Sequence, residues 1–219
     1  MLAPGNEPMQ IPLVIGGAEI FADRATADCC DPNRTDARVV VGRHALATAE
    51  DAGRALETAR QDPDGWRDLT ARERHGVLAR VAMELRTSRG DLIGAAAADT
   101  GKVFTEADVE VSEAIDFAEF YPHAVREYDR RPNLEVRGRG VALVISPWNF
   151  PIAIPCGGIV AALAAGNTVV FKPASDAVFT AWVLCQCFWR AGVSRNTLQF
   201  VPCSGSEVGP VLTASPLVD

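Results

Sequence analysis

From Val141 to Lys172 the chain is apolar or neutral until its last residue, and its only ionisable groups there are Cys156 and Lys172. A charge-free run of this length raises the possibility of a membrane span, which needs about 18 or more apolar residues in a row. Pro147, Pro151 and Pro155, with Asn149 and Asn167, cut the run into pieces too short to cross, so no membrane insertion is expected. The pieces read instead as strand, turn, buried helix and strand. Val141 to Ile145 is apolar and β-prone, Pro151 is placed to open a helix, Gly166-Asn167 is a stop and turn, and Thr168 to Phe171 is again β-branched. The result is a β-α-β unit covered on both faces.

The alternation continues beyond it. Phe179 to Ala191 keeps a helical pattern that Gly192 stops, Leu198 to Pro202 reads as a third strand, and Glu207 to Thr213 begins another helix after Gly205. Three strands alternating with three helices make half of a dinucleotide-binding sheet, in which ligands sit beyond the carboxyl ends of the strands. Upstream, four helices are predicted. Thr48 with Asp51 opens one that runs to about Asp62, and Thr70 with Glu73 forms a capping box for a second, with Val77, Leu78, Val81, Ala82 and Leu85 as its apolar stripe. A third spans about Asp91 to Thr100 and stops at Gly101. Thr105 with Asp108 starts a fourth, whose Val111, Ala114, Ile115, Ala118 and Tyr121 share a face before Pro122 ends it. Before the helices, Pro12 to Ile15, the Gly16-Gly17 turn and Glu19 to Phe21 predict a hairpin, and Arg38 to Val41 an edge strand, both laid along the surface.

The expected fold is therefore α/β, a Rossmann-like open and mostly parallel sheet with flanking helices. Residues 1–132 supply wrapping strands and a helical layer, 133–140 a short extended piece, and 141–219 a βαβαβα core. With 219 residues, 48% hydrophobic and 22% charged, the chain suits one domain with a sizeable core or two small ones. A net charge of −7 without a basic stripe argues against nucleic acid and against an anionic membrane surface as partners. Of the 21 cationic residues only Lys102 and Lys172 are lysine, a bias that an arginine-rich codon preference accounts for. Six cysteines lie scattered without CxxC spacing, which predicts reduced, mostly buried thiols, no metal site and a cytoplasmic setting; no secretion signal is visible. Trp66, His75 and His123 are expected to be structural, because no Ser, Cys or carboxylate is placed by sequence to build a triad with them.

Two stretches agree in residue type, order and spacing with motifs of a known family. Pro147-Trp148-Asn149-Phe150-Pro151 precedes a helix of small residues, and Ala165-Gly166-Asn167-Thr168-Val169-Val170-Phe171-Lys172-Pro173-Ala174 follows it. The chain resembles the aldehyde dehydrogenase superfamily. ISPWNFPIAIP, EAIDF at Glu113 to Phe117 and PLVIGG at Pro12 to Gly17 are most similar to the branch that oxidises glutamate semialdehyde in proline breakdown, the 1-pyrroline-5-carboxylate dehydrogenases. The resemblance implies NAD- or NADP-dependent oxidation of a small-molecule aldehyde to a carboxylate, and a homo-oligomer in the intact protein. It implies that Ile145, Ser146, Pro147 and Trp148 line the cofactor cleft, that Lys172 reaches the adenosine ribose beside Ser175, and that Gly205 and Gly209 let the backbone approach the adenine side. It implies also that the Asn149 carboxamide donates to the alkoxide that develops on the aldehyde, although a helix N-cap is another ordinary use of Asn. Leu134 to Gly138 would form an arm pairing with a neighbouring subunit; otherwise its Arg-rich flanks are a solvated face.

The usual GxGxxG of dinucleotide folds is absent, as it characteristically is in this family. Two departures from the family pattern carry consequences. Where the family commonly reads Lys-Pro-Ala/Ser-Glu, this chain has Ser175 and then Asp176, and losing a carboxylate there implies tolerance of a 2′-phosphate, hence of NADP. The family's nucleophilic Cys and water-activating Glu lie beyond the point matching Asp219, and none of the six cysteines stands in for the nucleophile, so these residues alone are expected not to turn over. A non-catalytic dinucleotide-binding or subunit-pairing module is the competing reading. A sheet ending at its third strand is also expected to leave an open edge.

Overall fold

The computed structural model describes residues 7–219. Strand β1 (Met9–Ile11), the hairpin β2 (Leu13–Ile15) and β3 (Ala18–Ile20), then β4 (Thr26–Cys30) and β5 (Val40–Ala45) come first. Helices α1 (Ala49–Gln61), α2 (Ala71–Thr87), α3 (Arg89–Thr100) and α4 (Phe104–Asp129) follow. The alternating run is β6 (Val141–Ile145), α5 (Ala153–Ala164), β7 (Thr168–Lys172), α6 (Val178–Arg190), β8 (Leu198–Phe200) and α7 (Gly209–Thr213). No helix of the described residues is long and apolar enough to cross a membrane.

The main sheet has the order β3-β2-β8-β7-β6, with β6, β7 and β8 parallel and the hairpin antiparallel to β8. Because side chains alternate across a strand, its two faces feed two cores. Val169, Phe171, Leu198 and Phe200 join a large core with α2 to α6, whereas Val170, Val141 and Val201 join a smaller one with α1 and α7. The α-helical starts at Thr48 and Thr70 carry complete capping boxes, and α3 and α5 stop where Gly101 and Gly166 take φ of +71° and +90°. Trp66 is buried, and its indole N–H donates to the Leu163 carbonyl at 3.1 Å, a structural role.

Several expectations need correcting. Val40 to Ala45 is no edge: β5 is the middle strand of a second, three-stranded sheet of order β1-β5-β4 whose other strands the sequence pattern did not announce. The hairpin is not a surface flap either, since Leu13, Val14 and Ile15 are buried and Val14 pairs with Phe200. That pairing covers the outer side of the third parallel strand, so the terminal strands of the sheet are β3 and β6. Pro122 does not end α4, which continues to Asp129. An interior proline removes one helix hydrogen bond at a cost of about 3 kcal/mol. Burial of Pro122, with Tyr121 and Val125 packed against the large core, offsets that loss. Residues 134–139 carry no regular structure within the chain.

Candidate functional site

The three parallel strands deliver their last residues to one edge of the sheet. Register places Ile145 beside Lys172, and the next amide, of Ser146, donates to the Lys172 carbonyl at 3.4 Å. Lys172 is only 7% exposed, and its ammonium donates to the carbonyl of Pro173 at 3.0 Å. A buried ammonium held by one carbonyl keeps donors to spare, and burying it without an anionic partner is costly. Cys203, just past β8, feels the same charge: burial pushes its thiol up while the Lys172 ammonium pulls it down. The strand ends thus bring Ile145, Ser146 and Lys172 together. Ser175 lies exposed in a short 3-10 turn after β7, while Gly205 is exposed in the turn that leads into α7 and Gly209 is buried as that helix's first residue. A side-chain carbon at Gly205 would meet no protein atom within 4 Å, and one at Gly209 only the Ser204 carbonyl at 4.0 Å. Neither glycine answers a close contact inside the protein.

Past Ser146 the chain turns through Pro147 to Pro151 before α5, with Trp148, Asn149 and Phe150 exposed and Pro147 half-buried. The N-cap of α5 is Ile152, which offers no side-chain oxygen, so Asn149 is not the cap. The first free amides, those of Ile152 and Ala153, are taken at 3.0 and 3.1 Å by Glu110, a carboxylate buried on α4. Glu110 also forms a buried ion pair with Lys102, whose ammonium donates to the Asn149 carbonyl at 2.8 Å and sits 4.3 Å from the Phe150 ring centroid. The Asn149 carbonyl and the two amides after the turn are thereby held, while the Asn149 carboxamide has no hydrogen-bond partner among the described residues. Sequence reasoning missed Lys102 and Glu110. The signal was present: Glu110 stands on the same helical face as Ala107, Val111 and Ala114, where an acid demands a partner.

Residues 21–219 match the aldehyde dehydrogenase family. The chain belongs to that family. It is 34% identical over 215 residues to a 1-pyrroline-5-carboxylate dehydrogenase of Staphylococcus haemolyticus, covering 94% of this chain and 41% of that relative. A solved 1-pyrroline-5-carboxylate dehydrogenase from Thermus with bound NAD is 34% identical with a TM-score of 0.86, over 96% of this chain and 42% of that one. Proline utilization A from Bdellovibrio bacteriovorus is 32% identical with a TM-score of 0.89, over 96% of this chain and 23% of that one. The chain thus spans about two-fifths of the length of the curated relatives it matches. Both the α/β architecture and the family read from the two motifs hold.

A second acid of the chain caps a helix from outside it. Helix α6 has no side-chain cap of its own, and Asp99 of α3 accepts from the Thr180 amide at 2.9 Å and hydroxyl at 3.1 Å. Asp99 borders a cavity of about 320 Å³ whose wall includes Trp148, Ser175 and Asp176. Burial raises its carboxyl to about 6 from an ordinary 3.8, against the opposing Thr180 hydrogen bonds. A folded-state value above the unfolded one means that the fold holds the proton more tightly. This group's contribution to stability is therefore full below about pH 4 and is lost as pH rises through about 6. At about 1.4 kcal/mol per unit the loss amounts to about 3 kcal/mol. Asp99→Asn keeps an acceptor and removes the titration. Urea unfolding of both proteins between about pH 4 and 7 should show the natural chain losing that much relative to the variant; parallel profiles would dismiss the titration.

Proposed function

We propose that this chain supplies the dinucleotide cleft and the oxyanion donor of an enzyme that oxidises an aldehyde to a carboxylate, with L-glutamate γ-semialdehyde as substrate. The observation that carries this reading is the Asn149 turn. Lys102 holds its Asn149 carbonyl and Glu110 the two amides that follow it, while the Asn149 carboxamide, beyond the carboxyl edge of a parallel sheet, has no partner among the described residues. Such a carboxamide can donate an N–H to an oxygen as negative charge develops on it, in a place the protein prepares before the substrate arrives. The choice of aldehyde rests on the relatives alone, whose names describe enzymes of 1-pyrroline-5-carboxylate.

The residues at the strand ends fit a nicotinamide dinucleotide. Lys172 has donors to spare for ribose hydroxyls, the Ser146 stretch and Trp148 wall the cleft, and Gly205 leaves its approach open. Bound there, the dinucleotide supplies the hydride acceptor. The thiol that attacks the aldehyde and the base that activates water are expected in the part of the relatives' length this chain does not span. Residues 134–139, unpaired within the chain, would complete a sheet with a second subunit.

The cofactor pattern is testable. Ser175 puts no carboxylate beside Lys172, so the full-length enzyme should accept both NAD and NADP. Ser175→Glu should shift the ratio of kcat/KM values toward NAD by about 10-fold or more, because a carboxylate there repels a 2′-phosphate. Dinucleotide reduction with glutamate semialdehyde, followed spectrophotometrically, reads both points. A preference for NAD above about 100-fold in the unaltered enzyme would refute the tolerance. Dinucleotide binding with no turnover of any aldehyde would favour a binding module over an enzyme.

A further inference from the structure

We propose that Lys102 and Glu110 are positioning residues for Asn149: the pair fixes the turn that aims its carboxamide. This inference rests on reading Asn149 as the oxyanion donor. Glu110 and Lys102 face each other with side chains 2% and 10% exposed, so neither is held in place by solvent. Their contacts divide the turn between them. Lys102 takes its near side, donating to the Asn149 carbonyl and lying against the Phe150 ring. Glu110 takes its far side, accepting from the Ile152 and Ala153 amides through one oxygen and meeting the Lys102 ammonium with the other.

An ammonium has three donors and no acceptor, and here it has three neighbours: a carboxylate, a carbonyl and an aromatic face. Holding the Asn149 carbonyl fixes the peptide plane that follows its Cα. That plane limits where the Cα–Cβ bond can point, through the one backbone torsion between them, and so narrows the reach of the two side-chain torsions. Both anchors belong to one short stretch, the loop before α4 and that helix's second turn, so the turn is referenced to the helical layer and not only to its own strand. A competing structural role would make the pair a simple tie between α4 and α5. Buried ion pairs of that kind are often replaceable by apolar side chains at little cost. The two roles differ in what they do to the chemistry.

Lys102→Met keeps the stem and removes all three donors. In the full-length enzyme it should lower kcat by about 10- to 100-fold while the KM values for aldehyde and dinucleotide stay within about 2-fold, the pattern of a misaimed group. Lys102→Arg should recover part of the loss. Against an Asn149→Ala background Lys102→Met should cost less than about 2-fold, because the group it aims is already gone. Hydrogen exchange at the Ile152 and Ala153 amides should quicken in Glu110→Gln, with later α5 amides unchanged, whether or not the enzyme turns over. If Lys102→Met does not fold, Lys102→Gln stands in for it. An equal loss in both backgrounds would reduce the pair to a structural tie, as would unaltered kcat in Lys102→Met when Asn149→Ala is crippled. If Asn149→Ala itself keeps kcat, the oxyanion reading falls and takes this inference with it, a result the single variants separate cleanly.

Discussion

Replacing Asn149 with alanine should cut kcat by about 10²- to 10³-fold, the loss typical of removing one donor from an oxyanion site. The affinity for dinucleotide should move by less than about 2-fold, because the groups proposed to hold it are at the ends of β6, β7 and β8. Two structural facts make this sharper than a motif match. The carboxamide caps no helix, since α5 is capped by Glu110, so its loss leaves no unsatisfied amide behind. It is also exposed and unbonded among the described residues, so the variant should unfold at the same denaturant concentration as the natural chain. Asn149→Asp is an informative companion: nearly isosteric, it replaces the donor with an acceptor that repels an oxyanion, and should be at least as inactive. Steady-state kinetics with urea midpoints would read all of this. Wild-type kcat in Asn149→Ala would end the assignment.

Phe171→Ala should destabilise the protein by about 3–5 kcal/mol, a large share of the roughly 5–15 kcal/mol that a domain usually has. Phe171 is fully buried in β7, the strand flanked on both sides, and its ring centroid lies 6.0 Å from that of Phe200 on β8. Backbone pairing of Phe171 with Val144 and Phe200 prevents the strands from closing over the void, so most of the cavity would persist. The next residue is Lys172, so looser packing there should also weaken dinucleotide binding. Phe171→Leu should cost much less, about 1.5 kcal/mol or below. Urea midpoints at unchanged slope would measure both, and a loss under about 1 kcal/mol for alanine would show that the core collapses around the gap.

How much of this was legible beforehand depended on how local the cause was. Strands β6 and β7 announce themselves because their central residues are β-prone and apolar on both faces, fully buried in β7 and partly in β6. The starts of α1 and α2 are equally plain, since a capping box is written within four consecutive residues. The caps of α5 and α6 are invisible to that logic, because Glu110 reaches 42 residues along the chain and Asp99 reaches 81. Strand β4, Thr-Ala-Asp-Cys-Cys, has neither alternation nor bulk, and pairing with β5 holds it in place. At Pro122 a strong local rule lost to packing that only the folded chain reveals. The candidate site divides in the same way: Asn149 and Lys172 stand in readable motifs, whereas the Lys102–Glu110 pair beneath them is a tertiary contact.

Both lysines of the chain lie within this site, and both are nearly covered. Every other cationic side chain is a guanidinium, charged at any ordinary pH and without a free electron pair on nitrogen to offer a carbonyl carbon. An amine, by contrast, condenses with an aldehyde to an imine. Whatever the origin of the arginine bias, a reactive aldehyde diffusing over the described surface meets no side-chain amine ready to scavenge it. The composition leaves the described surface without an exposed side-chain amine for an aldehyde to condense with.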